Sequence, residues 1–285
     1  MNYIIGMCKK HRDWIRVLAD LGYDPHLIEK NIRTSTGEKI KPDIIVTSAQ
    51  LIHSLVFDVK GGITVEKDQI DRYATLDKTD LYRWVGTENP LFTIQSFQFD
   101  LCISDLEQNH LLIAAAVKNV PIITFGSERI VKSGRFQKAE LNNQFREPIS
   151  LVGKIPPLLY YPFSEDDQPA YIAPFVIQGL LSIAIKKNRG GPSVFDQNLI
   201  TNEQILKVVF NPIFGALASE HQGRLKEIIR DVIKWVMADE SMKEAFGSIE
   251  RQGGYKLRRP LDRLISASNK FIANLETQGK LDSFL

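Results

Sequence analysis

The stretch 41–62, "KPDIIVTSAQLIHSLVFDVKGG", constrains the fold more than any other part of the chain. Two apolar runs rich in β-branched residues flank a few turn-forming ones, which predicts a hairpin of two strands. Pro42-Asp43 leads into the first run, and the second carries Asp58 and Lys60 among Val and Phe. Charges inside a strand are costly unless they are paired, hydrated or coordinating something. Either both strands are edges, where charges deter unwanted pairing, or the charges serve chemistry. The flanking "LVF" and "V" read as a central strand, which favours chemistry.

The surroundings supply an α/β domain. "HRDWIRVLADLGY" has Trp14, Val17, Leu18 and Leu21 at helical spacing, with Gly22 as a stop. "HLIEKNIRT" and "KIKPDIIVT" read as strands around the turn-like "STGE", and "SLVFDVKGG" as a third ended by paired glycines. A short helix over "EKDQIDRYATL" follows, then a strand in "LFTIQSFQFDLCIS", a helix in "EQNHLLIAAAVKNV" and a buried strand in "PIITFGS". That order predicts a mixed sheet flanked by helices over residues 1–132. Residues 133–170, polar and then proline-punctuated, read as a connecting region. Residues 171–285 read as a mainly α-helical domain, with Thr201 and Gln204 spaced as a capping box and Pro212 ending or kinking its helix.

Residues two apart on a strand face the same side, so Asp58 and Lys60 project together. A hairpin would bring Asp43 alongside them. Two carboxylates at one edge, with the Val59 carbonyl as a further hard oxygen, suit Mg²⁺ or Mn²⁺. Such a cation polarises a phosphate oxygen and acidifies a water, and a nearby lysine orients that water or offsets growing charge. Gln69 and Tyr73, four apart on the next helix, share one of its faces.

Pro42-Asp43, a gap and Asp58-Val59-Lys60 resemble the PD-(D/E)XK signature of restriction-endonuclease-like nucleases. Gln69 and Tyr73 resemble the Q-x-x-x-Y element of that superfamily's RecB-like branch. The resemblance spans roughly residues 10–130. It implies a restriction-endonuclease-like fold and a Mg²⁺- or Mn²⁺-dependent deoxyribonuclease. Asp43 and Asp58 would be metal ligands, Lys60 the residue assisting water, and Gln69 and Tyr73 supports of the site. The superfamily often has a further acid on its first helix, for which Asp13, Asp20 and Glu29 are the candidates.

Other chemistries find no foothold. The five histidines are scattered without zinc-ligand spacing, and neither a P-loop nor a G-x-S-x-G turn is present. His53 falls in the hairpin near the site, within reach of phosphate, though such a histidine is more often simply a loop residue. With a net charge of +2, any nucleic acid must be held by local basic patches. The clusters are Lys9, Lys10 and Arg12; Lys186, Lys187 and Arg189; and Lys256, Arg258 and Arg259, the last interleaved with Tyr255 and expected to meet DNA. "NRGGPS" at 188–193 reads as a flexible turn before a phosphate cradle.

Cys8 and Cys102 are expected as buried free thiols. The start of the chain lacks a basic n-region, and the apolar stretch "YIAPFVIQGLLSIAI" reads as too short to span a bilayer. A cytoplasmic protein without membrane contact is the expectation. The helical half is assigned to DNA binding, homodimerisation or docking on a partner protein. Analogy alone suggests restriction or phage defence. The competing expectation is a non-catalytic nucleic-acid-binding or scaffold subunit, and RNA is the alternative substrate.

Overall fold

The computed structural model describes residues 1–9, 13–60, 67–86, 92–106, 120–155, 160–189, 199–243, 245–249, 254–257 and 261–277. The chain divides into two compact units: Met1–Tyr160 with Gly215–Ala218, and Tyr161–Phe214 with Ser219–Leu285.

The first unit contains α1 (Asn2–Cys8), α2 (Val17–Asp20), β1 (Tyr23–Ile28), β2 (Ile32–Arg33), β3 (Lys39–Ile40), β4 (Ile44–Ser48), β5 (His53–Val59), α3 (Lys67–Tyr73), α4 (Lys78–Val85), β6 (Gln98–Leu106), β7 (Ile122–Phe125), β8 (Arg129–Ser133), α5 (Ala139–Gln144) and β9 (Ile149–Ser150). Seven strands form one sheet in the order β1-β4-β5-β6-β7-β8-β9, while β2 and β3 pair apart from it. The sheet is mixed. β4 runs antiparallel to β1 and β5, β5 to β7 are parallel, and β8 and β9 continue antiparallel.

β4 and β5 are therefore interior strands, and the edge explanation for the charges falls. The "IIVTS" of β4 is buried at every position, as expected for a strand covered on both faces. β1 is an edge and tolerates Pro25, which has no N–H to give a neighbour; a bulge falls between Pro25 and Leu27. The parallel β5–β6 step needs a crossover, and α3 and α4 belong to it. Tyr73 on α3, Leu76 in the link between the helices, and Leu81 and Val85 on α4 pack on Ile45 and Val56, the same sheet face that Asp58 shares by alternation.

Sequence and structure diverge in particular places. The helix expected over 11–23 is reduced to the four residues of α2, and Trp14 and Ile15 are buried outside it. Apolar spacing marked burial there, and burial does not require a helix. The helix expected in 107–119 lies outside the described residues. Residues 133–160 are part of the first unit, supplying α5 and β9, and do not form a separate connector. Asn142 holds this region together: its side chain accepts from Phe136 N and donates to the Phe136 and Lys138 carbonyls. Both cysteines are free and buried, and burial pushes each thiol pKa up.

The second unit contains α6 (Pro169–Arg189), β10 (Ile200–Thr201), α7 (Asn202–Val209), α8 (Ser219–Ala238), α9 (Glu240–Lys243), β11 (Phe246–Ile249), β12 (Gly254–Leu257) and α10 (Leu261–Thr277). It is mainly helical, as expected, but also holds a three-stranded sheet in the order β10-β12-β11. The apolar stretch at its start is longer than read from the sequence. Pro169–Lys187 is long and apolar enough to cross a membrane by length and composition, with mean hydropathy 1.4. Half of that window is buried inside the protein, and Val176, Ile177, Leu180 and Ala184 are core residues. It packs as the central helix of its unit.

Thr201 and Gln204 form the expected capping box. The Gln204 N–H donates to Thr201 Oγ1 at 3.2 Å, and the Thr201 N–H to Gln204 Oε1 at 3.1 Å. Thr201→Ala should cost about 1 kcal/mol of stability in urea unfolding, with Thr201→Ser near wild type. An alanine variant as stable as wild type would show that the box adds nothing.

Candidate active site

The β4–β5 pairing runs Ile44↔Phe57 to Ser48↔His53 across the turn at 49–52. One step beyond Ile44↔Phe57, Asp43 stands against Asp58. The Val59 N–H donates to Asp43 Oδ2 at 2.6 Å, and the Asp43 N–H to the Phe57 carbonyl at 3.1 Å. Val59, expected as a carbonyl ligand, thus meets Asp43 through its N–H. Burial pushes the Asp43 carboxyl up to about 7; the Val59 N–H opposes that shift, and Asp58 and Glu29 add to it.

Asp58 is 4% exposed. Lys60 Nζ lies 2.7 Å from Asp58 Oδ2 and donates to Gln69 Oε1 at 2.6 Å. The Gln69 amide donates at 3.4 Å to both Asp58 Oδ1 and the Tyr73 hydroxyl. The Tyr73 hydroxyl donates to the Lys41 carbonyl at 2.6 Å. Burial, then Asp58, push the Tyr73 pKa up, so the phenol stays a donor. The order of attachment is Lys60, Gln69, Tyr73 and then Lys41, two residues before Asp43. All five expected site residues are therefore brought together, and α3 supplies the brace.

Of the acids expected on the first helix, Asp13 and Asp20 are exposed. Glu29, just past β1, reaches the site: its N–H donates to the Asp43 carbonyl at 3.1 Å, and its side chain pairs with Lys41 at 2.5 Å. Glu29 has φ of +57°, a left-handed conformation uncommon outside glycine, which turns the chain there. Asp105 was missed by sequence reasoning. β6 sets Ile103 beside Asp58, so Asp105, two further on and 1% exposed, shares the Asp58 face. The alternation in "ISD" carried that signal.

His53 is not at this site. It opens β5 and Asp58 lies near its end, about 16 Å apart at ~3.3 Å per residue. It is fully buried, with Nδ1 2.8 Å from the Tyr23 hydroxyl and Nε2 3.3 Å from Asp100 Oδ2. The basic clusters fare differently. Lys9 pairs with Asp24 at 2.6 Å, and Lys187 donates to the Leu199 carbonyl. Tyr255 is 1% exposed and donates to Asn202 Oδ1 at 2.6 Å, so it is a core residue and does not face DNA. Lys256 lies on β12, the middle strand of the small sheet; Lys10, Arg12, Arg258, Arg259 and the 190–193 turn lie outside the described residues.

Among the described residues, no three His, Cys, Asp or Glu side chains gather as a ready-made metal cage. The donors at hand are still hard oxygens. Asp43 is a carboxyl pushed up by burial and by neighbouring acids, which a divalent cation would return to its ionised form. A cation held by Asp43 and Asp58 would draw its remaining ligands from water and phosphate, as Mg²⁺ commonly does.

Residues 1–160, more than half of the chain, match the MJECL32 domain model, and the chain belongs to that family. No curated protein and no solved structure matches it.

Burial lowers the His53 pKa, Lys138 adds to this, and Asp100 and Glu140 oppose it. The native chain then binds fewer protons than the unfolded chain below about pH 6.5. This part of the stability is present above pH 6.5 and lost as pH falls through that value. The urea midpoint should therefore drop more between pH 7.5 and 5.5 in wild type than in His53→Gln. Equal drops would mean that His53 does not carry the dependence.

Proposed function

We propose that this member of the MJECL32 domain family hydrolyses nucleic-acid phosphodiesters, with DNA as the first substrate to test, at Asp43, Asp58 and Lys60 with Mg²⁺ or Mn²⁺. The observation that carries the reading is the connected set from Asp58 and Lys60 through Gln69 to Tyr73, ending beside Asp43 on one sheet face. The order from β4 to β6, two strands, then the helices α3 and α4, then a strand, supports the PD-(D/E)XK-like reading.

Asp43 and Asp58 would hold the cation. When bound, it polarises a phosphate oxygen and lowers the pKa of a water. Lys60, fixed by Asp58 and Gln69, presents an ammonium to the charge that grows on the phosphoryl oxygens. Gln69 keeps that ammonium from swinging away. Tyr73 ties α3 to the Lys41 carbonyl and so fixes the chain leading into Asp43. A cytoplasmic setting, and a helical unit that binds DNA, a second copy or a partner, belong to the same proposal.

A second reading keeps this arrangement for binding alone. It is favoured by the Lys60–Asp58 ion pair, which already neutralises one carboxylate, and by the lack of a three-ligand cluster among the described residues. Cleavage of supercoiled plasmid and single-stranded DNA, with Mg²⁺, Mn²⁺ or EDTA, separates the two. Metal-dependent cleavage lowered by at least ~100-fold in Asp58→Ala and Lys60→Ala supports the nuclease. Cleavage untouched in Lys60→Ala, or indifferent to EDTA, rejects this site. Tight DNA binding without cleavage favours the second reading.

A further inference from the structure

The parallel strands β5, β6 and β7 end side by side, and ligands of α/β sheets gather at such carboxyl ends. The register sets Asp58 beside Ile103, and Ile103 beside Ile122, so the rung through Asp58 is otherwise apolar. Two residues on, and on the same face by alternation, the rung turns polar. The Lys60 N–H donates to the Ser104 carbonyl at 2.8 Å, which carries the ladder one step past Val59↔Ser104 and sets Lys60 opposite Asp105. Asp105 pairs in turn with Thr124 on β7. Asp105 is 1% exposed and Thr124 3%.

Lys60 is thus flanked by two buried carboxylates, Asp58 along its own strand and Asp105 across the sheet. Neighbouring strands lie about 4.8 Å apart, and residues two apart on one strand about 6.6 Å. By backbone, Asp105 is therefore at least as near to Lys60 as Asp58, which Nζ reaches at 2.7 Å. An ammonium has three N–H groups on a long, turning stem, so it can change acceptors while the backbone stays still.

The Lys60–Asp58 pair stands in the way of a cation on Asp58. A divalent ion sits roughly 2.0–2.6 Å from carboxylate oxygens, and an ammonium kept on the same carboxylate would face it at short range, where repulsion is steepest. The Lys60 side chain is only 11% exposed, so its charge needs a partner close by.

We propose that Asp105 is a positioning residue: as a cation takes Asp58, the Lys60 ammonium passes to Asp105 and stays beside the site with its charge balanced. The inference rests on the cation reading of Asp43 and Asp58, and names how Lys60 makes way for the ion. Asp105 acts through Lys60 and does not hold the ion itself. The ion pair that favours a binding-only site then becomes the resting state of a catalytic one.

Calorimetric titration of the full chain with Mn²⁺, without nucleic acid, tests the exchange in two backgrounds. Asp105→Asn should weaken Mn²⁺ binding about tenfold with Lys60 in place. In Lys60→Met, where no ammonium competes for Asp58, the same change should weaken it about threefold or less. A second arm, urea unfolding in EDTA, needs no cation. Asp58→Asn leaves Lys60 to Asp105, so adding Asp105→Asn should lower the urea midpoint, and by more than it does in Asp58→Asn with Lys60→Met. Equal midpoint shifts in those two backgrounds would overturn the pairing of Lys60 with Asp105. Mn²⁺ binding that Asp105→Asn leaves unchanged, or weakens equally with and without Lys60, would overturn the exchange while the cation site stands. A folded wild type that takes up no Mn²⁺ would end the cation reading and the exchange with it.

Discussion

The β4–β5 register is the constraint on which the site depends. Side chains alternate along a strand, so a slip of one residue would carry Asp58 and Lys60 to the other face, away from α3. The turn at 49–52 fixes that register. Ser48 secures it by donating to the Leu21 carbonyl and accepting from the Leu51 N–H. Burial of Ile45 and Val56 under α3 and α4 then penalises any alternative. The same core that stabilises the sheet thus aims the acids.

The electrostatics are arranged unevenly on that frame. Asp58 has Lys60 for company, whereas Asp43 has a backbone N–H and acidic neighbours. A buried ion pair is weak evidence for stability, and removing one partner typically costs 3–5 kcal/mol because the other is stranded. Lys60 is therefore a poor choice for a surface-style decoration and a reasonable one for chemistry. At the far end of the same strands, the Tyr23 hydroxyl lies 2.8 Å from His53 Nδ1, His53 Nε2 lies 3.3 Å from Asp100 Oδ2, and the Gln137 N–H donates to the Asp100 carboxylate. That network has the marks of structure: its histidine is fully buried.

Much of the site was legible because its residues lie close in sequence. Asp58 and Lys60 share a strand, Gln69 and Tyr73 a helix, and Asp43 is a hairpin away. Glu29 could be named as a candidate but not chosen, since its approach to Asp43 depends on the left-handed turn after β1. Asp105 lies on a strand reached only after a crossover, and the pairing of Tyr23, His53 and Asp100 spans three strands. Helix α4 was missed because its box joins Asp77 to Asp80, an acid pair outside the usual Ser/Thr-to-Glu/Gln pattern. In "GYKLRR", charge suggested a surface, whereas strand pairing across Gly254–Leu257 buries Tyr255.

The most direct test of the central claim is calorimetric titration of the full chain with Mn²⁺, comparing wild type with Asp43→Asn and Asp58→Asn. Paired carboxylates acting as a cation site predict saturable binding in wild type. Each variant should weaken it by at least about tenfold, since even outer-shell partners of a metal are worth that much. Binding that is absent from a folded wild type, or equal in all three proteins, would contradict the account.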